Sequence, residues 1–241
     1  MDYALIQKDY RFIFLTLTCK NVYGEELSEQ LDKIFHAFKK LTERKMVKQA
    51  VKGWFRALEV THNLDEASKD YDTYHPHFHI ILMVNKSYFN KPELYISQEK
   101  WTSLWQSCLA VDYTPIVDVR AFKTGKKSHV SKSVAESAKY AVKSNDFIIR
   151  DKDGVIDEEM TDDSVLILDK ALANRRLVAF GGEVKEIHKL LNLDDTENGD
   201  LINTDNEELI NTDNEELRED LDYVIERYKW HIGYKQYYKI D

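Results

Sequence analysis

The pattern of hydrophobic and polar residues over the first 122 positions predicts four strands and two helices. β-branched and aromatic residues, which favour extended backbone, dominate the four stretches predicted as strands. These strands span residues 10–18, 53–61, 77–84 and 115–122. A helical repeat of hydrophobic residues predicts a long helix over residues 25–49. Ser97 is a suitable N-cap for a second helix that ends near residue 110.

Beyond residue 122 the pattern predicts three more helices and an aromatic end. The helices are predicted over residues 131–144, 163–180 and 183–193. Gly181 and Gly182 separate the last two, because glycine is a poor helix former. The tyrosines and the tryptophan after residue 222 are too dense for a solvated tail, so we expect them to pack as strands rather than to stack on bases.

An acidic tandem repeat interrupts this order. LINTDNEE at residues 201–208 recurs unchanged at residues 209–216. An eight-residue period is too short for a solenoid unit, so the repeat is predicted to be a tolerant loop with little structure. The expected domains are therefore a main domain over 1–195, the acidic repeat loop over 196–222, and an aromatic segment over 223–241 that packs on the main domain.

Composition indicates the compartment. The two cysteines, Cys19 and Cys108, cannot form a disulfide framework, which favours a reducing interior. No apolar run approaches the ~18 residues needed to cross a bilayer, so no membrane partner is expected. The opening MDYALIQKDYRF also lacks the basic and apolar blocks of a secretory signal. A soluble, cytoplasmic protein is the expectation.

The net charge of −9 is unevenly distributed along the chain. Residues 1–150 hold 23 Lys and Arg against 18 Asp and Glu, whereas residues 151–241 hold 11 against 25. Such asymmetry is typical of a nucleic-acid-facing part beside an acidic tail. Six lysines between residues 123 and 143 form the densest basic cluster. A polyanion surface and an ordinary solvated helix face both account for that cluster.

The segment HPHFH, residues 75–79, gives the strongest local signal for chemistry. On a strand, His77 and His79 project from the same face about 6.6 Å apart, so two imidazoles can bind one divalent ion. His75 shares their parity but lies about 13 Å from His79, so the three are not expected to bind one ion. Glu59, near the end of a neighbouring predicted strand, is the candidate third ligand. Mixed imidazole and carboxylate ligation suits Mn²⁺ or Mg²⁺ better than a structural zinc site, although an isolated HxH pair also occurs as ordinary surface or core histidine.

The predicted helix over 131–144 carries a second candidate group. Glu136, Tyr140 and Lys143 are spaced i, i+4 and i+7, which places all three on one helical face. A tyrosine hydroxyl can attack phosphorus and form a phosphotyrosine, and a nearby carboxylate can activate water for a second displacement. Ser133 and Glu136 also match a capping box, which explains the glutamate without any chemistry.

Taken together, four motifs resemble the replication initiators of rolling-circle plasmids. They are FLTLT (14–18), LEVT (58–61), HPHFH (75–79) and ExxxYxxK (136–143). These initiators belong to the HUH endonuclease superfamily, in the branch with one tyrosine and a helper glutamate. The resemblance extends from about residue 10 to 195 and includes RRLVAFGGEVKE at 175–186.

The resemblance implies an α+β fold, in which an antiparallel sheet carries the histidine pair on a central strand and helices pack on its faces. It also implies residue roles. His77 and His79 resemble the metal ligands, Glu59 the acidic residue that completes the site, and Tyr140 the nucleophile that nicks one DNA strand. Glu136 resembles the base that activates water at termination, and Lys143 the cation that orients phosphate or tyrosine. The implied partners are plasmid origin DNA, single-stranded or as a nick-site hairpin, and a host helicase; a homodimer is left open.

One departure and two alternatives accompany this interpretation. Many relatives carry an additional N-terminal region with a Cys-rich motif, so we expect a fragment or a short variant in which origin recognition is affected more than nicking. HPHFHII also fits the pattern of histidine-triad nucleotide hydrolases and transferases, except for Pro76. Such an enzyme uses a histidine nucleophile and has no need of Tyr140. A non-catalytic DNA-binding or copy-control protein is the other alternative.

Overall fold

A five-stranded antiparallel sheet organises the first of two units, residues 1–195. The structure is a computed structural model that describes residues 10–122, 147–150, 154–190, 227–231 and 236–240. The strands are β1 (Arg11–Thr18), β2 (Val51–Asn63), β3 (Thr73–Val84), β4 (Val117–Ala121) and β5 (Val178–Gly182). Their spatial order is β4-β1-β3-β2-β5, with every neighbouring pair antiparallel. The predicted α+β fold with the histidine pair on a central strand is confirmed.

Helices cover both faces of this sheet. The described α-helices are α1 (Leu27–Glu43), α2 (Lys45–Ala50), α3 (Gln98–Leu109), α4 (Glu158–Leu172) and α5 (Glu183–Leu190), and short 3-10 helices span Gly24–Glu26 and Lys86–Phe89. Alternation along β3 decides what each face receives. Phe78, Ile80 and Leu82 join the larger core with side chains of α1, α3 and α4. Ile81 and Met83 join a smaller cluster on the opposite face, against which α5 packs.

The long helix predicted over residues 25–49 is two helices. Arg44 adopts an extended conformation between α1 and α2, with ψ at 133°. The hydrophobic positions explain the break, because Leu41 and Val47 are both buried although six residues apart. An uninterrupted helix would direct these two side chains to different faces. The Arg44 guanidinium donates to the Ser107 hydroxyl at 3.0 Å, which ties the break to α3.

The helix predicted over residues 163–180 is wrong at both ends. α4 begins earlier because Asp157 caps it, its side chain accepting a hydrogen bond from the Met160 amide. Asn174 adopts a left-handed conformation after α4, with φ at 59°. The segment that follows is strand β5, whose Phe180 pairs with Phe55 of β2. Hydrophobic periodicity alone did not distinguish a short buried strand from a continuing helix.

The Gly181-Gly182 pair ends β5 and does not separate two helices. A Cβ at Gly181 would lie 2.2 Å from the Trp54 side chain, so only glycine fits against that ring. Gly182 has φ at +58°, a backbone conformation that residues other than glycine rarely adopt. The chain then enters α5 at Glu183, the residue at which the helix over 183–193 is predicted to begin.

The second unit, residues 196–241, contains a two-stranded antiparallel sheet. Its strands are β6 (Arg227–His231) and β7 (Gln236–Ile240), which agrees with strands predicted for the aromatic end. The tandem repeat and the predicted helix over 131–144 lie outside the described residues. The boundaries proposed at 195 and 222 stay predictions. Among the described helices, none combines the length and apolar character that crossing a bilayer requires.

The Trp105 indole ties α3 to β1. It is fully buried, and its Nε1 donates to the Thr18 carbonyl at 2.7 Å. We expect Trp105→Phe to lower the free energy of unfolding by about 1–3 kcal/mol, because a buried hydrogen bond is lost. Urea unfolding measures this change. Ser103→Ala is the control, since the exposed Ser103 hydroxyl bonds only the Glu99 carbonyl of its own helix and should change stability by less than about 0.5 kcal/mol. Equal stability of the Trp105 variant and the wild type would show that the hydrogen bond from Trp105 to the Thr18 carbonyl does not stabilise the fold.

Candidate metal centre

Two imidazoles and one carboxylate converge on the face of the sheet that also carries α5. His77 of β3 is the register partner of Glu59 of β2, and His79 lies two residues further along the same face. Glu59 Oε2 lies 2.7 Å from His79 Nε2 and 3.3 Å from His77 Nε2. The three potential ligand atoms all lie within 4.8 Å of one another. Adjacent antiparallel strands with this register explain the convergence, because cross-strand pairs on one face are close neighbours.

The cluster is enclosed but remains accessible. The relative solvent exposures of the side chains are 11% for His77, 22% for His79 and 12% for Glu59. A carboxylate at this depth needs a partner, and the two imidazoles provide it. His79 is the more exposed of the two histidines. An ion or phosphate oxygen can therefore approach from solvent on the His79 side.

Each imidazole also has a partner for its other ring nitrogen. Nδ1 of His77 lies 3.1 Å from the His75 carbonyl oxygen, to which it donates. Nδ1 of His79 lies 3.4 Å from the Thr16 hydroxyl of β1, which is its register partner. The Phe14 ring stacks on His79 with centroids 5.5 Å apart. Both Nε2 atoms are thus directed at Glu59, the arrangement in which outer partners orient histidine ligands.

His75 lies beside the cluster but is not part of it. Its ring stacks on His77 with a centroid distance of 5.2 Å. Burial and the neighbouring His77 lower the pKa of His75, and a hydrogen bond with the Cys19 backbone partly offsets them. A neutral His75 beside His77 adds no charge to the cluster. Among the described residues, the group that could share an ion consists of Glu59, His77 and His79.

The back of the histidine strand is fixed by an aromatic cluster around a buried arginine. Phe78 is fully buried, and its ring contacts those of Phe35 and Phe38 of α1. The Arg56 guanidinium lies 4.9 Å from the Phe78 ring centroid and donates to the Arg176 carbonyl at 2.7 Å. Burial, together with the charge of Arg176, lowers the pKa of Arg56 to about 10, so the group stays cationic at neutral pH. These contacts hold the strand between the two histidines in one position.

Cys19 anchors the start of the histidine segment. Its Sγ donates to the Pro76 carbonyl at 3.2 Å. Burial raises the pKa of Cys19 to about 11, and a hydrogen bond with the Gln30 side chain opposes the rise. The group is therefore a thiol at neutral pH, which suits a structural donor and not a nucleophile.

The donor set fits a hard or borderline divalent cation. Two imidazole nitrogens and one carboxylate oxygen provide three protein ligands and leave positions for water or a phosphate oxygen. Within the described ranges, this is the one group of three such side chains close enough to share an ion. Among the residues that the structure describes, the group has no cysteine ligand and only three protein ligands, which distinguishes it from a structural zinc site.

The structure does not describe the second predicted group. Glu136, Tyr140 and Lys143 lie outside the described residues, as do all six lysines of the basic cluster. Their roles stay predictions. Sequence reasoning missed Phe14 and Thr16, although both lie in the FLTLT motif. Alternation along β1 would have placed both on one face, but only the register with β3 shows that they face His79.

Comparison with known proteins gives a consistent set of matches. The model of a family described as a replication protein, Rep_1, matches residues 2–238. A "Protein rep" from a Bacillus species is 46% identical over 204 residues, which cover 79% of this chain and 63% of that protein. A "Protein rep" from Bacillus amyloliquefaciens is also 46% identical, over 79% of this chain and 57% of that protein.

A third relative is covered more completely. The "Replication protein" of Staphylococcus aureus is 39% identical over 196 residues, which cover 80% of this chain and 79% of that protein. By contrast, this chain spans about three-fifths of the length of the two Bacillus relatives. No solved structure matches.

Proposed function

This chain belongs to the Rep_1 family, the replication proteins that initiate rolling-circle replication of plasmids, and from that premise we propose that it nicks one strand of a plasmid origin. The proposed activity is that of a metal-dependent HUH endonuclease and strand transferase. The observation that carries the proposal is the convergence of His77, His79 and Glu59 on one face of two adjacent strands, with His77 and His79 on the central strand.

Mn²⁺ or Mg²⁺ is the proposed cofactor. His77, His79 and Glu59 would hold it, and the bound cation would stabilise negative charge on the oxygens of the scissile phosphate. The contacts around the ligands support this role. The His75 carbonyl fixes His77 with Nε2 toward Glu59, and the strand between the two histidines is held from behind by Phe78.

Tyr140 is the proposed nucleophile. Its phenolic oxygen attacks the phosphorus and loses its proton, the bond from phosphorus to the 3′ oxygen breaks, and that oxygen takes up a proton. The products are a 5′ phosphotyrosine and a free 3′ hydroxyl that primes synthesis. Lys143 is proposed to orient the phosphate or the tyrosine. At termination, a 3′ hydroxyl or water attacks the phosphotyrosine and restores the phenol.

Glu136 is proposed to activate the water that ends the cycle. We expect Glu136→Ala to nick at close to the wild-type rate but to release the bound strand more slowly by about 10²–10⁴-fold, the usual contribution of a general base. The decay of isolated covalent adduct on a denaturing gel measures the release. Glu136→Gln keeps the shape of the side chain without its basicity and should behave like the alanine variant. Release at the wild-type rate in both variants would reject this role.

The proposed partner is plasmid origin DNA with a single-stranded or extruded nick site. Unpairing a duplex site costs a few kcal/mol. Negative supercoiling or an extruded hairpin at the origin supplies this free energy before the protein binds. A host helicase is the further expected partner, since the freed 3′ end is extended only as the strands separate. A cytoplasmic location belongs to the same proposal, and a homodimer stays open.

Nicking of supercoiled DNA tests the proposed function. The full chain, freed of metal, is incubated with a supercoiled plasmid that contains the replication origin of the DNA molecule carrying its gene. We expect conversion to the open circular form when Mn²⁺ is added, and none with EDTA or with a plasmid lacking the origin. Failure to nick the origin plasmid at any Mn²⁺ concentration would overturn the proposal. A histidine-linked nucleotide formed in a parallel incubation with a small nucleotide substrate would instead favour the histidine-triad alternative.

A further inference from the structure

We propose that Thr16 is a positioning residue of the metal centre, whose hydroxyl holds His79 with Nε2 directed at the space shared with Glu59 and His77. The inference deepens the proposed function and rests on it for the metal. Thr16 is the register partner of His79 across β1 and β3, and its Oγ1 lies 3.4 Å from Nδ1. His79 Nε2 lies 2.7 Å from Glu59 on the opposite side of the ring.

The two histidines are held by different kinds of partner. His77 Nδ1 faces the His75 carbonyl, which only accepts a hydrogen bond, so this nitrogen carries a hydrogen and the carbonyl holds the ring in a single way. His79 Nδ1 faces a hydroxyl, which both donates and accepts. Thr16 can therefore hold the His79 ring whether its hydrogen is on Nε2, where it bonds Glu59, or on Nδ1, where it leaves Nε2 free to bind a cation.

His79 needs such a partner more than His77 does. It is the more exposed of the two side chains, at 22% against 11%. The Phe14 ring stacks on one face of the His79 imidazole. Stacking restrains the tilt of the imidazole but forms no hydrogen bond to either ring nitrogen. The Thr16 hydroxyl is the neighbour that fixes the rotation of the imidazole from the Nδ1 side. An outer partner of this kind changes metal affinity without touching the metal.

The same motif provides a matched control. Thr18 also lies on β1, two residues beyond Thr16, and is the register partner of His77. Its hydroxyl donates to the Ile116 carbonyl at 2.9 Å and so is not committed to a histidine. Thr16→Val and Thr18→Val make the same chemical change on the same strand. Only the first removes the hydrogen bond with a proposed ligand.

Mn²⁺ titration of the metal-free full chain, followed by the electron spin resonance of free Mn²⁺, tests the inference. We expect Thr16→Val to weaken Mn²⁺ binding by about 10–100-fold, while Thr16→Ser and Thr18→Val stay close to the wild type. A second readout needs no metal: the ¹⁵N chemical shift of His79 Nδ1 should change in Thr16→Val and not in Thr18→Val. Circular dichroism confirms that each variant is folded.

The outcomes separate this inference from the proposed function. Wild-type affinity in Thr16→Val, or equal weakening in Thr16→Val and Thr18→Val, would overturn the role of Thr16 and leave the metal centre intact. Loss of affinity in Thr16→Ser equal to that in Thr16→Val would also overturn it. A wild-type chain that binds no Mn²⁺ would remove the metal from the proposed function. An unchanged Nδ1 shift in Thr16→Val would then still refute the contact with His79.

Discussion

Tyr140→Phe is expected to abolish covalent attachment to DNA. The phenolic oxygen is the atom proposed to bond the phosphorus, so its removal leaves no group to form the phosphotyrosine. Labelled single-stranded oligonucleotides that tile the origin are incubated with the protein and Mn²⁺, and adducts are separated on a denaturing gel. The wild type should give an adduct that peptide mapping by mass spectrometry assigns to Tyr140.

Controls decide whether the loss is specific. Tyr23→Phe removes the hydroxyl of an exposed tyrosine and should leave the yield unchanged. Tyr140→Phe should still bind the oligonucleotide, since only one oxygen is removed. An adduct of normal yield in Tyr140→Phe would show that another residue is the nucleophile. An adduct mapped to a histidine would favour a histidine nucleophile, as in the histidine-triad alternative.

The double variant His77→Ala, His79→Ala is expected to lose both Mn²⁺ binding and nicking. Two of the three candidate ligands are removed, so the loss should exceed the about 10–100-fold that changes around the ligands produce. Addition of EDTA to the wild type should likewise abolish nicking. Excess Mn²⁺ should then restore nicking by the wild type, whereas it should not restore nicking by the double variant. Isothermal titration with Mn²⁺ and the plasmid nicking assay measure the two properties.

The control for this variant is His36→Ala, which removes an exposed histidine of α1 on the other side of the sheet. It should bind Mn²⁺ and nick as the wild type does. Because β3 is held by backbone pairing with β1 on one side and β2 on the other, the double variant should retain the circular dichroism spectrum of the fold. Nicking by a folded double variant at the wild-type rate would refute the metal assignment.

Local patterns predicted the elements near the site because strands and histidine spacing follow from short-range rules. The parity of His77 and His79 is a property of any strand, so their common face followed from HPHFH alone. The grouping with Glu59 was an inference from neighbouring strands, and the register Glu59 to His77 supplies its reason. Short-range rules do not contain that register.

Elements whose identity depends on distant partners were predicted poorly. Val178–Gly182 is a strand because it pairs with β2, some 125 residues earlier, and its own sequence continues a helical repeat. The break at Arg44 depends on the core that Val47 must reach. The contact between Thr16 and His79 depends on how β1 is aligned with β3. In each case tertiary pairing decided what local propensity left open.

Tyr140 and the imidazoles of His77 and His79 are proposed to act on one phosphodiester, so the tyrosine must come close to the metal bound by the imidazoles. Fluorotyrosine is placed at position 140 of the full chain, which is then bound to Mn²⁺ and to an oligonucleotide with a non-hydrolysable linkage at the nick site. Mn²⁺ is expected to broaden the ¹⁹F signal of residue 140 strongly. A fluorotyrosine at Tyr95, which contacts Tyr88 on the opposite side of the sheet, should be affected far less. A signal at position 140 that stays as narrow as that at position 95 would show that Tyr140 does not reach the metal centre.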